Sequence, residues 1–282
     1  AKTFAPFYKE IEKCEKYLAS SRPTARNLFW ALERMRTLAR INRNKSISAI
    51  KKLLLEEATN ILQEDKAICR CIGKLGSRLI KNGDNILTHC NAGALATADF
   101  GTALASIFRA KIDRKHIHIF VDETRPVLQG ARLTTWELLK EGIDTTLICD
   151  NMAASLMADG KINKIIVGAD RIAQNGDVAN KIGTYNLAVL AKAHDIPFYV
   201  AAPLSTFDFN ITSGKNIPIE LRDANEVKTI MGKYIAPRRV NVFNPAFDVT
   251  PNRLITAIIT EKGIFRQPYR RSLRKLKLDH RP

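Results

Sequence analysis

Apolar residues recur with helical spacing along the first part of the chain. Leu28, Leu32 and Met35 lie three or four positions apart, and similar spacing continues to about residue 80. Residues so spaced share one face of a helix, so the pattern predicts helices with one buried side. We therefore predict a helical N-terminal region over residues 1–82.

From residue 85 onward, short apolar runs alternate with helical patterns. The predicted strands are NILTHC (85–90), HIHIFVD (116–122), TTLICD (145–150), KIIVGAD (164–170) and PFYVAAP (197–203). The predicted helices between them cover 96–110, 130–142, 152–160 and 181–194. Such alternation predicts parallel strands joined by right-handed crossovers. The expected fold class is α/β, with a Rossmann-like, open, mainly parallel sheet flanked by helices over 83–265.

The last segment, residues 266–282, is strongly basic. It reads RQPYRRSLRKLKLDHRP, with seven basic residues against one acidic residue. A charged terminus of this kind predicts a solvated, frayed end. A contact with an anion or a nucleic acid is the alternative interpretation.

Composition narrows the possible compartments and partners. The chain of 282 residues has 45 Lys and Arg against 28 Asp and Glu, a net charge of +17. This excess makes a nucleic acid, an anionic surface or a phosphorylated substrate plausible without choosing among them. The five cysteines are odd in number and favour reduced thiols in a cytoplasm. The sequence has no apolar run long enough for a membrane span.

Candidate chemistry lies where the predicted strands end, because ligands of open α/β sheets bind beyond the carboxyl ends of the strands. The polar residues at those ends are Cys90, Asp122, Asp150 and Asp170. Asp150 alone fits a plain helix N-cap. Four polar strand ends in one sheet favour a functional site.

Cys90 and Asp170 are the leading candidates. Cys90 is predicted to lie near a helix N-terminus, where the pKa of a thiol is depressed, although a buried structural thiol is the alternative. Asp170 ends an apolar strand, where loss of water raises the pKa of a carboxyl and allows general acid work. An ion pair with Arg171, or a capping role, is the alternative for Asp170.

Two further segments suggest ligand contacts. In 122–130, Gln129 precedes Gly130, and glycine permits close approach of the backbone to a ligand. A plain connection between strand and helix is the alternative there. Asn180 and Lys181 are predicted to start a helix, where backbone N–H groups and a lysine suit an anion.

Other chemistries have weak support in the sequence. Cys69 and Cys71, and the adjacent His89 and Cys90, lack the paired spacing of a structural zinc site, so we expect no metal. The sequence contains neither a GxxxxGK[ST] phosphate loop nor a GxSxG nucleophile turn. It also lacks an RNP-type aromatic pattern, which makes nucleic acid an unlikely partner.

Several motifs together resemble the methylthioribose-1-phosphate isomerase family of methionine salvage. They are SRPTARNLFWAL (21–32), THCNAGALAT (88–97), DETRPVLQGARLTTWEL (122–138), GADRIAQNGDVANKIGTYNLAVLAK (168–192), PFYVAAPLSTFD (197–208) and NPAFDVTPNRLITAIITEKGI (244–264). They cover most of residues 21–264 in the order found in the family. The superfamily also contains the regulatory subunits of the translation factor eIF2B and the ribose-1,5-bisphosphate isomerases.

The resemblance implies an aldose–ketose isomerase that converts 5-methylthioribose 1-phosphate to 5-methylthioribulose 1-phosphate. It implies Cys90 and Asp170 as the catalytic residues. It also implies that phosphate and sugar hydroxyls bind to Arg22, Gln129, Asn180 and Lys181. The reaction needs no cofactor or metal, and the resemblance implies a homodimer in the cytoplasm.

Two departures from the family pattern keep other functions open. The Arg-Gly-Ala segment that family members carry ahead of SRPTA, where it helps to hold the phosphate, is not in this sequence. Leu221 stands in IPIELRD where the family has an acid. The alternatives are a non-catalytic eIF2B-like regulatory or sugar-phosphate-binding protein, or a ribose-1,5-bisphosphate isomerase.

Overall fold

The computed structural model describes residues 3–22, 24–274 and 276 of the chain. Its helices are α1 (Phe4–Ser20), α2 (Arg26–Ile41), α3 (Ile47–Ser77), α4 (Ala103–Ile112), α5 (Thr135–Lys140), α6 (Ala153–Ala158), α7 (Thr184–Ala193), α8 (Asn225–Lys228) and α9 (Tyr269–Ser272). Its strands are β1 (Asn85–Thr88), β2 (His118–Asp122), β3 (Asp144–Ile148), β4 (Lys164–Val167), β5 (Arg171–Ala173), β6 (Val178–Lys181), β7 (Phe198–Ala201), β8 (Phe207–Asp208), β9 (Thr229–Ile230), β10 (Lys233–Tyr234), β11 (Phe247–Thr250), β12 (Ala257–Thr260) and β13 (Gly263–Phe265).

The largest sheet has seven strands in the order β13-β12-β7-β4-β1-β2-β3. All neighbouring strands in it are parallel except β12 and β13. The chain runs outward from β1 through β2 to β3, and then returns to β4 on the other side of β1. The predicted N-terminal helices and open, mainly parallel sheet are confirmed. The division at residues 82 and 265 stays a prediction.

Both faces of this sheet are covered. Ile86 packs on one side with Ile72 of α3 and Leu104 of α4, whereas its neighbour Leu87 packs on the other side with Leu187 of α7. Alternate residues of a strand point to opposite faces, so consecutive positions of a doubly covered strand are mostly apolar. This burial explains the unbroken apolar runs in the sequence. None of the described helices combines the length and apolar character that crossing a bilayer requires.

A second sheet of four strands, in the order β11-β6-β5-β8, follows β4 and corrects one prediction. Asn180 and Lys181 do not start a helix. They end strand β6, where they pair with Asp248 and Phe247 of β11, and α7 begins at Thr184. The partner strand lies far away in sequence, so local periodicity could not reveal this pairing.

The helix predicted over 96–110 also begins later than expected, at Ala103. Gly101 has a φ of 88°, in the left-handed region that ends helices. A Cβ at Gly101 would lie 2.4 Å from the Cα of Gly93. The close approach of two backbone segments therefore prevents this stretch from continuing the helix.

The C-terminal segment is more ordered than its charge suggests. Tyr269 and Leu273 are only 3% and 2% exposed and pack into the larger core cluster. Their four-residue separation places both on one face of a short helix. The expected solvated end is therefore wrong for these residues. Residues 275 and 277–282 lie outside the described part of the chain.

Candidate active site

A cavity of about 860 Å³ opens at the carboxyl ends of β1 and β4. These two strands are neighbours at the point where the strand order reverses, which is where open α/β sheets bind ligands. The six residues that the family resemblance implies as catalytic or substrate-binding all line this cavity: Arg22, Cys90, Gln129, Asp170, Asn180 and Lys181. Asp122 and Asp150 do not line it.

Hydrogen bonds to its backbone groups hold Cys90 in place. Its φ of 61° is unusual for a residue with a side chain. The Cys90 N–H donates to the hydroxyl of Thr124 at 2.8 Å, and the Cys90 carbonyl accepts from the hydroxyl of Thr134. The Thr124 hydroxyl donates in turn to the Asp122 carbonyl at 3.0 Å. Two hydroxyls thus fix the turn that presents the thiol to the cavity.

The expected depression of the thiol pKa is wrong. Burial raises the pKa of Cys90 to about 11, although the charges of Lys181 and Arg22 act to lower it. The anticipated helix N-terminus is absent at Cys90, because α4 begins only at Ala103. Cys90 is therefore a protonated thiol at neutral pH.

Asp170 lies between the sheet and the helical layer. Its carboxylate accepts a hydrogen bond from Arg22 Nη2 at 2.6 Å, and its side chain is 12% exposed. The backbone N–H of Arg26 donates to the Asp170 carbonyl at 3.1 Å, which attaches α2 to this loop. Burial raises the pKa of Asp170, against Arg22 and Lys181, which lower it. Arg171 pairs instead with Asp208 at 3.4 Å.

The groups suited to a sugar phosphate lie around this pair. Lys181 Nζ lies 4.8 Å from the centre of the Phe247 ring and has no ion-pair partner among the described residues. The Asn180 amide donates to the Thr184 hydroxyl at 3.0 Å. Gln129 Oε1 is buried without a hydrogen-bond partner in the described part of the chain. A ligand hydroxyl would satisfy that oxygen.

The start of α7 is not available to an anion, contrary to the sequence-based expectation. The Asp248 carboxylate accepts hydrogen bonds from the N–H groups of Gly183 and Tyr185 at 2.7 and 3.0 Å. Binding of an anion would have to compete with this internal carboxylate. The anion-binding capacity here therefore rests on side chains such as Lys181.

Asp150 and Glu137 both bind backbone N–H groups of other loops, a role that the sequence predicts for neither. Asp150 accepts from the N–H groups of Thr124 and Arg125, both at 2.7 Å, so it holds the 122–130 loop and is not a simple N-cap. Glu137 of α5 accepts from the Asn91 amide at 2.9 Å and from the Ala94 N–H at 2.6 Å. A glutamate in an amphipathic helix gives no local signal of this role.

Gly130 is required by an internal contact. A Cβ at this position would lie 1.8 Å from the Asp122 carbonyl oxygen. The sequence suggested that the glycine lets the backbone approach a ligand, but the close approach is to the end of β2. The result is a tight connection that brings Gln129 to the cavity wall.

One cluster that includes His89 at the cavity wall has the residue types of a metal site. His89, Asp122 and Asp150 bring ligand atoms within 4.8 Å of one another. Both ring nitrogens of His89 are engaged, with Asp122 Oδ2 and with the Ile182 carbonyl, each at 2.8 Å. Asp150 binds backbone N–H groups. These atoms are committed to internal hydrogen bonds and do not fit a metal ion.

The sequence profile of the Initiation factor 2 subunit family matches residues 1–267. A methylthioribose-1-phosphate isomerase from Caldicellulosiruptor saccharolyticus is 61% identical over 268 residues, covering 95% of this chain and 78% of that protein. A 5-deoxyribose 1-phosphate isomerase from Moorella thermoacetica is 55% identical over 276 residues, covering 98% and 79%. The crystal structure of 5-methylthioribose 1-phosphate isomerase from Pyrococcus horikoshii OT3 matches with a TM-score of 0.89 and 48% identity, covering 99% of this chain and 78% of that one.

The protonated state of Cys90 is testable by alkylation. Only the thiolate reacts, so with a pKa of about 11 its iodoacetamide rate should rise about tenfold per pH unit from pH 8 to pH 10. Peptide-resolved mass spectrometry measures this rate, and the exposed Cys14 provides the internal control for reagent activity. A Cys90 rate that is already level by pH 8 would contradict the raised pKa.

Proposed function

The chain belongs to the Initiation factor 2 subunit family, and from this membership and the cavity we propose that it is an aldose–ketose isomerase. Its substrate is 5-methylthioribose 1-phosphate and its product 5-methylthioribulose 1-phosphate, a step of methionine salvage. The observation that carries this proposal is the presence of Cys90 and Asp170 in one cavity with the cations of Arg22 and Lys181. Relatives 55% to 61% identical bear the names of sugar-phosphate isomerases.

The chemistry of the substrate requires an acid before anything else. Its anomeric carbon C1 carries the phosphate and the ring oxygen, so no free aldehyde exists. Asp170 donates a proton to the ring oxygen as the bond from C1 to that oxygen breaks. One hydrogen then moves from C2 to C1, as a proton through a base or as a hydride, and the hydroxyl proton on C2 returns to the protein. Cys90 is the partner of Asp170 beside C1 and C2.

The ion pair between Arg22 and Asp170 links binding to this proton. The Arg22 cation stabilises the carboxylate form of Asp170, whereas burial favours the protonated form. A phosphate carries close to two negative charges and competes for the guanidinium. Substrate that takes Arg22 as its counter-ion weakens the largest of the charges that lower the pKa of Asp170, and so raises this pKa when an acid is needed.

A second substrate has specific support. The Moorella thermoacetica relative is named for 5-deoxyribose 1-phosphate, which differs only at the 5-substituent. Both substrates place the same reacting atoms at C1 and C2. The non-catalytic alternative gives no role to a thiol and a carboxyl that share one cavity, so the isomerase is the better supported function.

We further infer that the enzyme is a cytoplasmic homodimer. Tyr185 and Val189 lie one turn apart on α7 and are 41% and 42% exposed. Exposed apolar residues on one face of a helix suit contact with a second copy. All five cysteines are free, as expected in a reducing compartment. Light scattering should give twice the chain mass of 31.6 kDa at micromolar concentration, and a monomer there would contradict the dimer.

Cys90→Ser and Asp170→Asn should each lower turnover of 5-methylthioribose 1-phosphate by ~10²- to 10⁴-fold, the effect of losing an acid–base group. Proton NMR follows the appearance of the ketose, and circular dichroism verifies the fold. Cys14→Ser and Asp159→Asn, at exposed positions, are the matched controls. Near-normal turnover by either cavity variant would refute its assignment.

Lys181→Ala should weaken inorganic phosphate binding by ~1.5–3 kcal/mol, the range for a hydrogen bond to a charged group. Calorimetric titration measures the affinity at fixed ionic strength. Lys192→Ala is the control, because this exposed lysine lies on α7 and changes the net charge equally. If the two variants lose the same affinity, general charge and not the cavity governs phosphate binding.

A further inference from the structure

A histidine that the sequence analysis set aside lies at the wall of the cavity. His89 follows β1 and immediately precedes Cys90, and its side chain is 1% exposed. Its Nδ1 lies 2.8 Å from Asp122 Oδ2, and Asp122 is fully buried. Its Nε2 lies 2.8 Å from the carbonyl oxygen of Ile182. One imidazole ring thus connects the end of β2 with the residue after β6.

These partners determine where the protons are. A backbone carbonyl can only accept, so Nε2 carries a hydrogen and donates it to Ile182. Burial acts to raise the pKa of Asp122, whereas the hydrogen bond and charge of His89 act to lower it. When Asp122 is ionised it can only accept, so Nδ1 donates to it. Asp122 Oδ1 has no hydrogen-bond partner among the described residues, which leaves His89 as the group that compensates its buried charge there. In this state the ring is an imidazolium paired with the Asp122 carboxylate.

The surrounding charges support this state. Burial acts to lower the pKa of His89, but the hydrogen bond and the charge of Asp122 outweigh it, so the pKa is raised. Asp150 adds a further favourable charge. Asp248, which binds the start of α7, also interacts electrostatically with the ring. Three carboxyl groups from three different segments thus face one cation.

The ring also spans the two sheets that form the cavity. Cys90 follows His89 on the large sheet, and Lys181 precedes Ile182 on the second sheet. Gly183 has a φ of 102°, and a Cβ there would lie 2.9 Å from the His89 ring. The backbone after β6 can therefore approach the imidazole closely enough for the hydrogen bond to Ile182.

We propose that His89, as an imidazolium between Asp122 and the Ile182 carbonyl, is a positioning residue that holds the Cys90 turn at a fixed distance from the strand end carrying Asn180 and Lys181. The role rests on the proposed isomerase function. Both ring nitrogens of His89 are engaged by Asp122 and Ile182, so it acts through the two backbone segments that present the thiol and the cation. Its loss displaces these groups relative to each other while each remains chemically intact.

The protonation of the ring is tested without substrate. Histidine labelled with ¹⁵N reports on both ring nitrogens, and His89→Gln identifies the His89 signals among the five histidines by their loss. We expect both nitrogens to show protonated-type shifts at pH 7.5. A bare, unprotonated nitrogen on His89 at that pH would overturn the proposal.

The positioning role is tested by steady-state kinetics on 5-methylthioribose 1-phosphate. His89→Leu removes both donors and should lower kcat about 100-fold, the cost of misplacing reacting groups by about 1 Å. KM should change far less, because each binding group is still present. His89→Gln keeps a donor within reach of the Ile182 carbonyl and should recover part of the lost kcat.

A matched control is available at the amino end of β2, away from the carboxyl ends that form the cavity. His118 bonds Asp144 Oδ2 at 2.8 Å and Thr146 Oγ1 at 3.0 Å, so His118→Gln removes a similarly paired histidine away from the cavity and should leave kcat unchanged. Wild-type kcat in both His89 variants, or equal losses that follow a shared drop in melting temperature, would overturn the positioning role. If wild-type protein turns over neither sugar phosphate, the proposed function fails, while the NMR result still stands as the test of the ring.

Discussion

The parallel pairing of β1 with β4 is the constraint on which the candidate site depends. Leu87 of β1 pairs with Ile165 of β4. Cys90 follows the end of β1, and Asp170 follows the end of β4. No direct contact between the two side chains is needed to bring them together, because the sheet register does so. The register in turn depends on apolar residues that cover both faces, so the position of the acid–base pair is set by the hydrophobic core.

Polar residues around the cavity bind mainly backbone. Thr124, Glu137, Asp150 and Asp248 all accept hydrogen bonds from main-chain N–H groups of the loops that surround it. Loops at strand ends cannot satisfy their own backbone groups through secondary structure, and an unpaired buried group is costly. The side chains that supply those partners leave the reactive groups free to face the cavity.

The difference between local patterns and contacts between distant segments explains what the sequence could predict. Apolar runs predict the strands, and the rule for strand ends places Cys90 and Asp170 on the cavity wall, because both depend on local patterns. The thiol pKa, the strand position of Lys181 and the role of Glu137 depend on contacts between distant segments. No periodicity in a single chain reports that β11 pairs with β6, or that a glutamate of α5 binds the loop after β1.

The two sides of the cavity differ in how their charged groups are held. The sheet side presents Cys90, Asp170 and Lys181 from strand ends and short loops that are fixed by hydrogen bonds. The helical layer contributes Arg22. The Arg22 side chain is 56% exposed, although its guanidinium pairs with the carboxylate of Asp170, whose side chain is 12% exposed. An exposed cation loses little hydration when it changes partners, whereas a buried carboxyl left unpaired has a strong preference for its protonated form. Placing the exchangeable charge between α1 and α2 and the proton on the sheet therefore allows an anionic ligand to alter the acid without moving the framework that positions it.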